Sequence, residues 1–403
     1  MRTSRIRGAI VLMAALLTAG CGSNVGGSAQ PSEIDVRTLD VGKYATGPLE
    51  ERFIYYPDLG KGFNLAAMRL ADKLANGSDI DPRLTYGTGM RAFTDPDKGN
   101  LLAKSSRAVL ADNGMLFGAA ASTAEKSVDS DGKLPDNITF AALTVVQFAT
   151  EAAADKAARE MEAADFGVAA AANQPVTLSK YPAAHAHWRP DQPSLGSRLA
   201  RGKYVVDLVV GLPAPDLAQL TALTERAYDV QLGLLDGLAA LSKEDALRLP
   251  YDPDDMLRRT LNPSGLGNPD TTSQYVSETH GFLNQLTDQA YWRHVFDENG
   301  VDRVANSTEM SNTTLLYRAR DTAQARALTG LILTKAYPGA TGAPSALPNA
   351  ICGERTKKDN FYTKRYRCAV TYRRYVATVE GDQLADVHQR ANAQYALLAN
   401  STW

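Results

Sequence analysis

Cys21 carries the clearest chemical assignment in the sequence. It follows an arginine-containing start, the apolar run Gly8–Leu17 and a few small residues. A charged start, a short apolar run and a small-residue cleavage site are the pattern of a secretory signal. Leu17–Cys21 also matches a bacterial lipobox, with Thr18 where leucine is commoner. We therefore predict that residues 1–20 are a lipoprotein signal peptide and that Cys21 carries a lipid such as palmitate; plain secretion with an incidental cysteine is the alternative.

The two other cysteines, Cys352 and Cys368, lie in segments with the pattern of strands. An even pair in an oxidising compartment favours a disulfide. Closing a loop of this length would stabilise the fold by about 3 kcal/mol. Two free buried thiols are the alternative, and the lack of paired CxxC motifs argues against a zinc site. We predict a cross-strand disulfide.

His185-Ala186-His187 is the most metal-like feature. Side chains alternate along a strand, so both imidazoles would face the same side and could share an ion. Histidine also titrates near physiological pH, which would suit a pH switch. No third ligand follows nearby, and Trp188 and Pro190 indicate the end of a strand. His185 and His187 are therefore weak metal candidates, and the sequence predicts no cofactor.

A basic and aromatic stretch covers residues 357–375, with seven Lys or Arg residues and five aromatic residues. Arg373 and Arg374, near its end, could contact anionic lipid headgroups or an envelope polysaccharide through charge and stacking. The alternative is a hairpin whose charges keep an exposed sheet edge from aggregating. These two arginines are weak binding candidates.

No stretch carries an established catalytic pattern. The sequence contains no GxSxG, HExxH or GxxxxGK[ST] motif and no GxGxxG after a strand. Five histidines and many serines leave open a triad assembled by tertiary contacts. We name no catalytic residue and favour a protein that is not an enzyme. The net charge of −2 and the lack of a basic arm make nucleic acid a poor candidate partner.

The residues after Cys21 divide into a tether and a folded part, which the tether would hold outside the membrane. Residues 21–37 are mostly small and polar, as expected of a flexible tether. The rest is long enough for two domains of ordinary size, which we place at residues 38–240 and 251–403. No second apolar run is long enough to span a bilayer. The prediction is an extracytoplasmic protein attached to the cell membrane through its lipid.

Two halves of the chain share a pattern. Arg107–Ser122 (RAVLADNGMLFGAAAS) corresponds to Arg293–Thr308 (RHVFDENGVDRVANST), and in each an Asn-Gly pair indicates a helix that ends before a strand. Each half continues as strand, helix, strand, strand, helix, which is the order of a ferredoxin-like unit. We predict an α+β fold of two related βαββα units in tandem, with helices on one face of each antiparallel sheet. The two sheets could pack against each other as a two-repeat α+β barrel.

These motifs resemble an uncharacterised family of actinobacterial lipoproteins. The lipobox, RAVLADNGMLFGAAAS, YDPDDMLRRTL, and TTLLYRARDTAQA with the late cysteine pair carry the resemblance, which covers roughly residues 35–403. The family is known as a two-part domain of unknown function. The resemblance implies a cell-envelope location and a two-domain build. It implies no catalytic or binding residue.

Three functions are compatible with the sequence. The first is a non-enzymatic envelope lipoprotein that binds an envelope ligand or protein partner through its two α+β units. The second is an envelope hydrolase with a site between the two halves, where pockets often form. The third is a structural or stress-response surface protein without a small ligand. A buried carboxylate or histidine with a strongly shifted pKa between the halves would favour the hydrolase.

Overall fold

Two antiparallel sheets, one from each half of the chain, organise the structure. The computed structural model describes residues 34–50, 54–99, 101–129, 132–263, 269–309, 312–356 and 364–401. Residues 36–403 belong to one compact unit. The mixed α+β content and the two tandem halves predicted from the sequence are both present.

The first half builds the N-terminal sheet and the helices around it. Its strands are β1 (Tyr86–Phe93), β2 (Met115–Ala124), β3 (Phe140–Phe148), β4 (Gln174–Val176), β5 (His185–Trp188), β6 (Ser194–Arg201) and β7 (Tyr204–Gly211). Its helices are α1 (Leu59–Ala71), α2 (Gly77–Ile80), α3 (Lys104–Asp112), α4 (Glu151–Gly167), α5 (Leu217–Asp236) and α6 (Lys243–Leu247).

The second half builds the C-terminal sheet in the same manner. Its strands are β8 (Gln274–Glu278), β9 (Arg303–Glu309), β10 (Asn312–Arg318), β11 (Gly339–Thr341), β12 (Ile351–Glu354), β13 (Tyr366–Tyr372) and β14 (Tyr375–Gly381). Its helices are α7 (Thr279–Leu283), α8 (Gln289–Asn299), α9 (Thr322–Thr334) and α10 (Leu384–Ala399).

The two sheets have the same strand order. The N-terminal sheet runs β1-β2-β3-β7-β6-β5-β4, and the C-terminal sheet runs β8-β9-β10-β14-β13-β12-β11. The neighbouring strands are antiparallel throughout. Strand β1 therefore corresponds to β8, helix α4 to α9, and helix α5 to α10. This shared topology supports the internal repeat far more strongly than the sparse sequence matches do.

The two Asn-Gly pairs end helices as predicted. Helix α3 ends at Asp112 and α8 ends at Asn299. Gly114 and Gly300 then adopt φ values of +68° and +57°. Glycine enters this left-handed region without the steric cost of a Cβ atom, so the chain can turn out of each helix into β2 or β9.

Helices cover both faces of each sheet. Val145 packs in the cluster formed with α1 and α5, while its neighbour Val146 packs with α4. In the C-terminal sheet, the Thr371 hydroxyl contacts a threonine of α9, and the Tyr372 ring packs against a tyrosine of α10. Consecutive strand residues point to opposite faces. The prediction of helices on one face was wrong because the central strands are apolar on both faces, as in β3 (FAALTVVQF).

The finer fold prediction is not confirmed. A ferredoxin-like unit has four strands, whereas each sheet has seven within the described residues. Because helices cover both faces, neither sheet offers a bare face for the sheet-against-sheet packing of a two-repeat barrel.

The described residues before α1 pack against the second half. The Tyr44 hydroxyl donates to Asp386 of α10 at 2.6 Å, and the Asn400 side chain donates to the Thr46 carbonyl at 2.8 Å. The division into domains 38–240 and 251–403 stays a prediction, since both ranges belong to one compact unit. The signal peptide and most of the tether, residues 1–33, lie outside the described residues. No helix in the described part of the chain has both the length and the apolarity that a membrane crossing needs.

Candidate functional site

The structure pairs the two late cysteines. Cys352 on β12 and Cys368 on β13 lie directly opposite each other, with Cα atoms 4.0 Å apart, and their sulfurs form a disulfide. Both side chains are buried. The predicted cross-strand disulfide is confirmed. Cys21, the predicted lipid acceptor, lies outside the described residues.

The two candidate metal ligands lie on β5, as predicted. His187 Nδ1 is 2.7 Å from Glu162 Oε1. Within the described residues, one group of three side chains is close enough together to share a metal ion: Cys352, Cys368 and His388. The two cysteines of that group are already joined in the disulfide. The described part of the chain therefore brings no third ligand to His185 and His187, and their metal role stays a prediction.

His187 borders a buried ionic cluster centred on Arg198. This side chain is 1 % exposed, and its guanidinium nitrogens lie 2.7 Å from Glu162, 2.5 Å from Asp165 and 2.7 Å from Asp207. Glu162 and Asp165 belong to α4, whereas Arg198 and Asp207 belong to β6 and β7. Burial raises the pKa of Asp207, and the charge of Arg198 opposes that rise. Buried charges persist in a fold only when they are paired, so the cluster fixes α4 on the sheet.

Arg373 and Arg374 form the exposed tip of the β13–β14 hairpin. Their guanidinium carbons lie 5.5 Å from the Tyr372 ring centre and 5.8 Å from the Tyr375 ring centre, respectively. Two earlier arginines of the same stretch are neutralised by glutamates. Residues 357–363 lie outside the described residues. Binding through Arg373 and Arg374 stays a prediction.

Side chains at the end of α1 and around α2 join the two halves. The Leu74 carbonyl accepts from His280 Nε2 at 2.9 Å and from Asn284 Nδ2 at 3.2 Å. Arg293 of α8 donates to Asp79 of α2 at 2.7 Å. Burial lowers the pKa of His280, and the bond to a carbonyl requires a proton on Nε2. These contacts join the second half to the first through buried polar groups and one exposed ion pair.

Backbone pairing also crosses this junction. Gly87 N donates to the Thr287 carbonyl at 3.1 Å, and Gln289 N donates to the Thr85 carbonyl at 2.9 Å. These bonds lie on the edge of β1 opposite β2, because β1 is the outermost strand of its sheet. The second half therefore already adds a short strand-like segment to the start of this edge.

An open cleft of about 410 Å³, which we call the inter-half cleft, lies beyond that segment. Its floor is one face of α1, one wall is β1 with the residues after it, and the other wall comes from the second half. It is lined by Asn64, Ala67, Met68, Met90, Arg91, Ala92, Phe93, Thr94, Lys98, Thr271, Thr272, Tyr275 and Gln285.

The lining shows that the cleft lies along the edge of β1. The consecutive residues 90–94 all line it, and consecutive side chains of a strand alternate between the two faces of a sheet. A wall that includes residues from both faces of the sheet must therefore be the edge of the strand. The β1–β2 register shifts by one residue between Gly87 and Gly89, so Gly87, Met90 and Ala92 lie opposite Thr123, Ala121 and Ala119, which are alternate residues of β2. The N–H of Gly87 points outward, and Met90 and Ala92 share that orientation. Their backbone groups therefore point into the cleft.

Both charged residues in the described lining of the cleft are cations. Arg91 and Lys98 are exposed, and within the described residues neither forms an ion pair. No aspartate or glutamate is among the described lining residues. Gln285 Nε2 is a buried donor without a hydrogen-bond partner there, although Gln285 Oε1 accepts from the Tyr275 hydroxyl at 2.8 Å. The described lining therefore offers two cations and one buried donor. The nearby Asp270 carboxylate already accepts from Thr272 N at 2.9 Å and from Thr272 Oγ1 at 2.7 Å.

A second cavity of about 200 Å³, the Asp72 cavity, lies on the other side of Met68 and Tyr275. Asp72 Oδ2 accepts from Glu278 N at 3.1 Å, and Oδ1 has no hydrogen-bond partner within the described residues. Burial raises the pKa of Asp72 to about 8. Gly281 packs so closely that a Cβ atom there would lie 2.2 Å from Oδ1. The junction thus contains a buried carboxyl with a strongly raised pKa.

The sequence reasoning missed both sites. Asp72 lies four residues after Met68 and seven after Leu65, so it continues the apolar face of α1. An acid on an apolar helix face was the signal for a buried carboxyl. The cleft had no comparable signal, because its walls are far apart in the chain and only tertiary packing brings them together.

Two family models match the chain in succession. The N-terminal part of a domain of unknown function (DUF7373) matches residues 53–251, and its C-terminal part matches residues 256–401. No match was found among curated protein sequences. Among solved structures, the chain is similar to the extracellular domain of PknH from Mycobacterium tuberculosis, with a TM-score of 0.29 and 13% identity over 48% of this chain and 100% of that one. A TM-score this low does not establish a shared fold.

Proposed function

The chain belongs to the two-part DUF7373 family of unknown function, and from this premise we propose that it is a membrane-anchored envelope protein that binds an anionic ligand in the inter-half cleft. It binds this ligand without transforming it. The anchor is the lipid on Cys21.

The proposed location is supported by residues 1–24. They combine a charged start, a short apolar run and a lipobox pattern that ends at Cys21. The disulfide between Cys352 and Cys368 suits an oxidising compartment outside the cytoplasm. A lipid on Cys21 and the tether after it would keep the folded part beside the membrane.

The proposed binding activity is supported by one observation, the charge of the inter-half cleft. Arg91 and Lys98 line it without an ion-pair partner among the described residues. Cations in a concave site attract anions because the low-dielectric walls focus their field. Thr94 and the Nε2 donor of Gln285, which has no hydrogen-bond partner within the described residues, add polar groups that could fix the orientation of a ligand.

A charge-reversal experiment tests this binding. The wild type and the variant Arg91→Glu with Lys98→Glu are titrated by calorimetry with inorganic phosphate, citrate, hexagalacturonate and the acidic peptide acetyl-TETETET-amide. We expect the wild type to bind at least one of these anions and the variant to bind it about tenfold more weakly.

The matched control is Lys126→Glu with Lys133→Glu, which makes the same change in net charge at exposed residues away from the cleft. It should bind like the wild type. Equal weakening in both variants would show a general effect of net charge, and the absence of binding to all four anions would contradict the proposal.

A second candidate function, an envelope hydrolase, is supported by the Asp72 cavity. A carboxyl with a pKa of about 8 suits proton transfer near neutral pH. Ser277 also lines this cavity, and its buried hydroxyl has no hydrogen-bond partner in the described part of the chain.

Chromogenic ester and peptide substrates test this candidate across pH 5–9. Hydrolysis that is lost in both Asp72→Asn and Ser277→Ala would favour the hydrolase, and hydrolysis that persists in both would exclude these residues.

A further inference from the structure

We propose that the ligand of the inter-half cleft is an extended acidic peptide that adds to the free edge of β1 as a further strand. This inference rests on the proposed anion-binding function and specifies the chemical class of the ligand. The partner is thus a peptide segment with carboxylate side chains, recognised through its backbone as well as its charge.

The first argument is that this edge already accepts a strand partner. Backbone bonds join Gly87 to Thr287 and Thr85 to Gln289 across the start of the edge. Beyond them, β1 has no strand partner on this side within the described residues. The backbone groups of Met90 and Ala92 point to the same side. A peptide at these two residues would continue a pairing that the protein makes with its own chain.

The second argument is the shape of the cleft. Its wall follows residues 90–94, a length of about 17 Å for an extended segment. That length accommodates about five residues of a peptide strand. The face of α1 that carries Ala67 and Met68 provides a partly apolar floor for the alternate side chains of such a peptide. Strand addition of this kind takes its affinity from the backbone and its specificity from the side chains.

The third argument is charge. Arg91 lies within the edge, and Lys98 lies beyond its end. An unpaired cation on an edge strand discourages pairing with a second copy of the same edge, because the two arginines would repel each other. The same cations favour a peptide with carboxylates. The edge is therefore suited to an acidic strand and unsuited to self-association.

Backbone recognition is tested with three peptides and one variant. The probes are acetyl-TETETET-amide, the same peptide with all backbone amides N-methylated, and acetyl-TQTQTQT-amide. The variant is Ala92→Pro, which removes an outward N–H. Proline is tolerated on an edge strand when the missing N–H faces solvent, so the β1–β2 pairing remains.

We expect the acidic peptide to bind the wild type. N-methylation, the glutamine replacement and Ala92→Pro should each weaken binding about tenfold or more. Hydrogen exchange should show slower exchange at the amides of Met90 and Ala92 in the complex. The melting temperature of Ala92→Pro, measured without peptide, shows whether this variant still folds. If it does not fold, the test relies on the wild type, whose binding of the N-methylated peptide is compared with its binding of the unmodified peptide.

The outcomes separate the two proposals. Equal binding of the N-methylated and unmodified peptides would overturn strand addition and leave anion binding intact. Binding of phosphate, citrate or hexagalacturonate without binding of the acidic peptide would have the same meaning. If none of the anions bound, both proposals would fail.

Discussion

Arg198 shows how a single residue can decide the packing of a helix. Its guanidinium is surrounded by three carboxylates. Glu162 and Asp165 lie on α4, and Asp207 lies on the neighbouring strand β7. His187 lies against the same Glu162. The imidazole that looked like a metal ligand therefore contacts a structural ionic cluster.

Replacing Arg198 with methionine should destabilise the protein by about 3–5 kcal/mol, because Asp207 would remain buried without its cation. Chemical denaturation measures this change. Arg201→Met is the matched control, since Arg201 pairs with Asp236 at 2.9 Å but both side chains are more than half exposed. A surface pair contributes at most about 1 kcal/mol. Similar losses in the two variants would contradict the structural role of the cluster.

Asp72 makes stability depend on pH. Its pKa is about 8 in the folded protein, above the ordinary value of 3.8. The folded state therefore holds a proton that the unfolded state releases between these two pH values. The stabilisation is full below about pH 4 and is lost as the pH rises towards 8.

Asp72→Asn should remove this pH dependence. Between pH 5 and 8, the free energy of unfolding of the wild type should fall relative to the variant, by at most about 1.4 kcal/mol for each pH unit. Asp112→Asn, at an exposed residue of α3, is the control and should follow the wild type. Parallel curves for the wild type and Asp72→Asn would show that Asp72 is ionised in the folded protein.

At the scale of elements, two corresponding hairpins, β6–β7 and β13–β14, have different residues at the same left-handed position of their turns. The β6–β7 hairpin turns at Gly202 with φ +55°, and the β13–β14 hairpin turns at Arg373 with φ +51°. The left-handed region costs a residue with a Cβ atom about 1 kcal/mol, whereas glycine enters it freely. The second half therefore carries an exposed arginine where the fold favours glycine.

Arg373→Gly should stabilise the protein by about 0.5–1 kcal/mol, measured by chemical denaturation. The reciprocal variant, Gly202→Ala, should destabilise it by a similar amount because its backbone has the same conformation. The contact with an anionic surface that the sequence predicts for Arg373 requires that Arg373→Gly also bind anionic vesicles less well while being more stable. A loss of stability would contradict the assigned strain.

At the scale of the whole molecule, the halves are similar in topology but joined asymmetrically. Helix α1 and the residues after it belong to the first half and contact the second through Leu74, Asp72 and Asp79. This junction creates the inter-half cleft and the Asp72 cavity, so neither site exists in one half alone. The start of the compact unit lies against α10, where Tyr44 contacts Asp386.

Cys21→Ser tests the proposed attachment of the whole molecule. Without a thiol to acylate, the protein should move from the membrane fraction to the soluble fraction after cell lysis. The Cys352→Ser with Cys368→Ser variant is the control, because it removes two cysteines and keeps Cys21; it should stay with the membrane. Retention of Cys21→Ser in the membrane fraction would contradict the lipid anchor.

The sequence by itself determined the local features. The cysteine pair, the Asn-Gly helix ends and the two corresponding halves were all readable because each depends on neighbouring residues or on a repeated pattern. The same reasoning predicted helices on one face only, although the apolar run in β3 already indicated a strand buried on both faces.

Only the tertiary structure decided what these elements enclose. The order of seven strands, the partners of Arg198 and the free edge of β1 each depend on segments distant in the chain. The sequence shows that Asp72 continues the apolar face of α1. The pKa of Asp72, however, depends on Glu278 and on burial by the second half. Local periodicity specifies a helix or strand, whereas the charge and exposure of a site depend on which elements meet. The cleft is therefore a property of the junction between the two halves.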